Sequence, residues 1–153
     1  MTQQPGHTAE TSASILEMLN QARAAGRRFS HTERVLHTSC EFWVAAVNRT
    51  LDRYLGLIPN VVLRDAEASF AAIEIPCVAD ILRAARINPL LSGSSGRSRE
   101  VVARLQRTLD YLDVPVDDMI RKFAVEQTWS RLKRPTFHLI EVPGAAQAQA
   151  QSQ

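Results

Sequence analysis

The sequence contains little of what usually marks an active site. Its 153 residues hold no glycine-rich phosphate loop, no dinucleotide fingerprint, no nucleophile elbow and no zinc-ligand quartet. Cysteine is nearly absent, with Cys40 and Cys77 far apart in sequence, which excludes a disulfide framework and a close redox pair. Each lies in an apolar stretch and reads as a small core residue, reduced in a cytoplasmic protein. There is no run of about 18 uncharged apolar residues, the length a membrane span needs. The residues after Met1, Thr2 to Pro5, carry neither the basic start nor the apolar run of a signal peptide. Membrane insertion and secretion are both disfavoured.

Charge of one sign is also lacking. Eighteen basic residues against 16 acidic ones give a formal +2, too balanced for a surface that coats nucleic acid. Lysine occurs only at Lys122 and Lys133, so arginine supplies nearly all the positive charge, a bias expected of a GC-rich bacterial genome. Up to Pro76 there are seven basic and eight acidic residues, and after it eleven and eight, so any anion-binding surface belongs to the second half.

The chain does carry helical periodicity, with proline and glycine gathered at the joints. Residues 1–11 read as a disordered N-terminal tail, 12–142 as one helical domain, and 143–153 as a disordered Ala/Gln-rich tail. A first helix is expected over 12–25, capped by Ser12 or Ser14, with Ile15, Leu16, Leu19 and Ala22 inward and Gly26 ending it. A second, over 31–55, has Ser30 and Glu33 in the capping-box arrangement. Its apolar residues cover more than half its circumference, so it should be the central helix, with Trp43 organising the core.

Further helices are expected over 61–73, 76–87, 99–112 and 115–132, with 88–98 as a flexible loop. Residues 137–142 look extended. The fold class is therefore all-α: a compact bundle of about six helices with a short extended C-terminal segment.

Three groups of side chains are candidates for chemistry. His37, Cys40 and Glu41 stand at i, i+3 and i+4, where zinc ligands converge, but no fourth ligand accompanies them. The plainer reading puts Cys40 in the core, His37 at the boundary and Glu41 in solvent. Asp110, Asp113, Asp117 and Asp118 crowd the joint of the last two helices. Paired carboxylates serve acid–base chemistry or bind a hard cation, yet Asp113 as a cap, with Asp117 and Asp118 in a first helical turn, accounts for most of the run. Arg97, Arg99, Arg104 and Arg107 form one basic cluster and Arg131, Lys133 and Arg134 another, both candidate contacts for phosphate or nucleic acid.

The stretch 98–123, in which an apolar helix leads into Leu112, Val114, Pro115 and Asp118, resembles the last two helices of phage-repressor-like helix-turn-helix domains. The resemblance covers some 26 residues. In that family these helices are scaffold, so it implies no DNA-contacting residue here. The upstream pair that would read bases, 66–86, has Glu74 where the turn usually holds glycine and Asp80 where an apolar residue locks the helices.

The expectation is therefore a non-catalytic interaction, oligomerisation or adaptor module, with no catalytic residue, metal or cofactor. A homodimer or a protein partner is expected, and no membrane. Phe137, Leu139, Ile140 and Val142 form the expected dimer contact, because an apolar extended segment needs something to pair with. The alternative is a DNA-binding transcriptional regulator with a divergent helix-turn-helix.

Overall fold

Seven α-helices and one 3-10 turn form among residues 7–92 and 95–130, the residues described by the computed structural model. They are α1 (Glu10–Ala24), α2 (His31–Val47), α3 (Leu51–Leu55), α4 (Pro59–Ala72), α5 (Pro76–Arg86), the 3-10 turn Pro89–Ser92, α6 (Ser95–Asp110) and α7 (Val116–Ser130). No strand occurs among the described residues, so the all-α expectation holds. The expected extended segment at 137–142 lies outside them.

The helix starts follow local chemistry. At α2 the Ser30 hydroxyl accepts from the Glu33 amide at 3.2 Å, and the Glu33 carboxylate accepts from the Ser30 amide at 2.9 Å, closing the capping box. Pro59 and Pro76 open α4 and α5, where a proline's missing N–H leaves no bond unmade.

Three helices end alike. Beyond α1, α2 and α4 the chain turns through a left-handed residue, Gly26, Arg49 or Glu74. The next amide then bonds back five residues: Arg27 to Ala22, Thr50 to Ala45, and Ile75 to Phe70. This Schellman arrangement satisfies the last free carbonyls.

Glycine marks only the first of these endings, which explains one correction. The expected helix over 31–55 is two helices, because Arg49 at φ 60° stops α2 and α3 sets off in a new direction. A non-glycine residue there costs about 1–2 kcal/mol, and the Arg49 guanidinium is anchored to Asp110 at 2.9 Å. A second correction concerns 88–98. That stretch holds the 3-10 turn and the first residues of α6, which begins at Ser95 rather than 99.

Helix α2 is central, packing on α1, α3, α4, α6 and α7. Its two apolar sides serve different neighbours. Phe42 meets Tyr54 of α3 and Phe70 of α4 edge to face, with centroids 6.1 and 5.7 Å away. On the other side Trp43, 1% exposed, donates its indole N–H to the Thr8 carbonyl at 3.0 Å and packs against the His7 ring. Residues 7–11, expected in the N-terminal tail, thus belong to the fold: 7–9 strap Trp43 and α1 begins at Glu10. Among the described residues no helix is long and apolar enough to cross a membrane.

Truncating Trp43 removes a large buried ring and leaves Thr8 without its donor. Trp43→Ala is expected to lower stability by about 3–5 kcal/mol, read from the urea denaturation midpoint. A loss under about 1 kcal/mol, the range of surface substitutions, would contradict the burial of this residue.

Candidate functional site

The strongest polar constellation among the described residues joins the start of α7 to the start of α1. Helix α1 has no side-chain cap of its own. Asp117, buried in the first turn of α7, supplies one from across the fold. Its Oδ2 accepts from the Thr11 amide at 3.1 Å, and its Oδ1 from the Ser12 amide at 2.9 Å and the Ser12 hydroxyl at 2.5 Å. A carboxylate at a helix N-terminus, holding free first-turn amides, is favoured by both hydrogen bonding and the helix dipole. Ser12 therefore belongs to the capped turn and is not the cap.

Cys40 lies beside this pair. Its thiol is pushed up, first by burial and then by the Asp117 charge, while a hydrogen bond with Ser12 pulls the other way. A thiol held protonated in a closed core has neither the charge nor the access of a nucleophile. Cysteine, serine and aspartate meet here, and the meeting is structural.

The other acidic residues disperse. Asp110 accepts from Gln106 at 3.0 Å and pairs with Arg49, while Gln106 also donates to the Ala46 carbonyl at 2.9 Å. These bonds clamp the end of α6 to the turn after α2. Asp118 is exposed, 3.9 Å from Arg121, and Asp113 is exposed in the loop before α7.

The expected His37, Cys40 and Glu41 trio also separates. The His37 Nε2 is 2.8 Å from Asn20 Oδ1, its ring packs on Phe29, and its Nδ1 is 4.0 Å from Glu41. Cys40 turns to Ser12 instead. His37 is buried, deeper than the boundary position expected. Among the described residues no three His, Cys, Asp or Glu side chains converge as a metal site.

Of the expected basic residues, only those on α6 lie among the described residues. Arg97, Arg99, Arg104 and Arg107 are all exposed on α6, and none has an ion-pair partner among the described residues. Arg97 and Arg104, seven residues apart, share a face. Arg107 borders a cleft of about 470 Å³ beside Trp43, Arg49 and Tyr111. Arg99 borders a different cleft, near the start of α6. Arg131, Lys133, Arg134 and the expected dimer contacts Phe137, Leu139, Ile140 and Val142 lie outside the described residues.

The α4 and α5 pair makes the most extensive helix contact among the described residues, with Glu74 at φ 64° in the turn between them. That is the left-handed conformation a helix-turn-helix glycine would adopt. The second helix departs from the pattern. Helix α5 buries Val78, Ala79 and Leu82 and presents Asp80, Arg83 and Ala84 outward, so its exposed face puts a carboxylate where phosphates would lie.

One surface feature had no signal in the candidate motifs. Between α3 and α4 the chain passes through Gly56, at φ 61° and ψ −141°, a conformation few other residues tolerate. Leu57 follows, 100% exposed, then Ile58 at 61% and Val61 in the first turn of α4. They edge a cleft of about 710 Å³ with Leu55, Leu91 and Val102. Ile87 and Leu90 are also exposed, at and beside the 3-10 turn, which packs on both α4 and α6. Among the described residues, the only other exposed large apolar side chain is Tyr111. The sequence signal available was the order Gly56, Leu57, Ile58, Pro59, where two large apolar residues fall inside a helix break.

Asp117→Ala removes a charged acceptor from three donors and is expected to cost about 2–3 kcal/mol in chemical denaturation, with faster hydrogen exchange at the Thr11 and Ser12 amides. The His37 pKa is lowered, first by burial, with the Arg23 charge adding and Glu41 opposing. An unfolded histidine titrates at about 6.5, so below that pH the unfolded chain binds a proton the folded chain resists. Stability should therefore hold above about pH 6.5 and decline as pH falls toward the folded-state value, and His37→Gln should flatten that decline in urea midpoints measured across the window. No family model, curated protein or solved structure matches this chain.

Proposed function

We propose that this chain is a non-catalytic protein-interaction module whose working surface is the apolar corner between α3 and α4. The observation that carries this reading is the cluster Leu57, Ile58 and Val61 at the rim of an apolar-floored cleft. Single exposed leucines are ordinary, whereas adjacent exposed aliphatic side chains over such a cleft mark a surface that another chain covers. The polar constellations do not compete with it, because Asp117, Ser12, Cys40 and His37 are buried and bonded within the fold. A cytoplasmic setting fits the reduced cysteines.

A second reading rests on Arg97, Arg104 and Arg107, exposed along α6 without ion-pair partners among the described residues, which would suit phosphate contacts in a DNA-binding regulator. Dye binding and DNA binding separate the two. At dilute concentration the full chain is expected to bind the uncharged dye Nile red with little dependence on salt, and Leu57→Asp/Ile58→Asp to lose most of that binding. Binding unchanged in the double variant would overturn the interaction reading. Retention of duplex DNA that weakens steeply with salt, and is lost in Arg104→Ala/Arg107→Ala, would establish the second.

A further inference from the structure

We infer that the occupant of the apolar corner is a second copy of this chain, docked about a two-fold axis. The inference rests on the interaction reading above and adds the identity of the partner. Its basis is the charge at the rim. Asp52 and Arg53 of α3 border the cleft on one side and Arg99 of α6 on another. All three are exposed, and none has an ion-pair partner among the described residues.

A two-fold interface brings one patch against itself, so it favours a rim carrying both signs around an apolar centre. This rim has that composition. Turned onto a copy, the Asp52 carboxylate of one chain meets the Arg53 or Arg99 guanidinium of the other, twice over, while Leu57, Ile58 and Val61 fill the apolar cleft between them. A nucleic acid would find the carboxylate and the aliphatic floor unfavourable. Helix α7 packs on α1 and α2, whereas the corner is built from α3, α4, α6 and the 3-10 turn.

The expected contact therefore differs from one through Phe137, Leu139, Ile140 and Val142, and the same measurement tells them apart. Light scattering across low to high micromolar concentration should show the full chain rising to a dimer's mass. Leu57→Asp should remain a monomer with an unchanged circular dichroism spectrum, because Leu57 is fully exposed. Asp52→Arg alone and Arg53→Asp/Arg99→Asp alone should each weaken association by about tenfold or more, through like charges brought together. Mixing those two variants should restore a dimer containing one of each.

A full chain that stays monomeric would overturn the inference. So would a dimer that survives Leu57→Asp but is lost in Leu139→Asp/Ile140→Asp, or a mixture that fails to associate. Dye binding at the corner by a monomeric protein would remove the second copy as partner while leaving the interaction reading intact, and absent dye binding at dilute concentration would remove the interaction reading itself.

Discussion

The Asp117 carboxylate holds the first turn of α1, and the arrangement of α1, α2 and α7 depends on that bond. It joins groups 105 positions apart in the chain, so the loop-closure entropy it opposes is set by the whole domain. With the start of α1 fixed, residues 7–9 lie across α2, where Thr8 receives the Trp43 indole hydrogen. The tie also fixes which way the shared helices run. Thr8 meets Trp43 at one end of the α1 and α2 pair, and Asn20 meets His37 further along, so the two helices are antiparallel. A buried carboxylate is costly when unpaired, and here three donors surround it, which makes this geometry far better than a near miss.

What the sequence made legible was local. The capping box at Ser30 and Glu33, the proline opening α5, and the apolar girdle of α2 each depend on residues within one or two turns of each other, and the structure bears them out. The end of α2 was not legible, because the residue in the left-handed conformation is Arg49 rather than glycine, and its anchor is Asp110 on another helix. Glu74 is a parallel case. The start of α6 was obscured by composition, since serine, glycine and arginine read as a solvated connection.

The candidate chemistry fared differently for a related reason. Spacing on one helix correctly shows which side chains point the same way, but partners on other helices decide what they do. Cys40 and His37 are three positions apart, yet Ser12 takes one and Asn20 the other, both from α1. The four aspartates fall within nine positions, and each has its own surroundings: Asp117 inside, Asp110 against Arg49, Asp113 and Asp118 in solvent. Clustering in sequence at a helix joint is weak evidence for convergence, because a joint is where the chain changes direction and neighbouring side chains diverge.

The apolar corner obeys the opposite logic. Leu57 and Ile58 have the composition of core residues, and a reading by hydropathy would send them inward. Gly56 prevents that by turning the backbone through a conformation that ends α3 and throws the next two side chains outward before Pro59 opens α4. Core positions on either side, Leu55 and Leu63, are buried, so the chain leaves the core at Gly56 and returns to it within α4. The exposure is built into the turn. It also lies apart from the polar tie at Asp117, on α3 and α4, which do not form α7's main contacts. A chain docking there would therefore cover aliphatic surface without disturbing the hydrogen bonds that hold α1, α2 and α7 together.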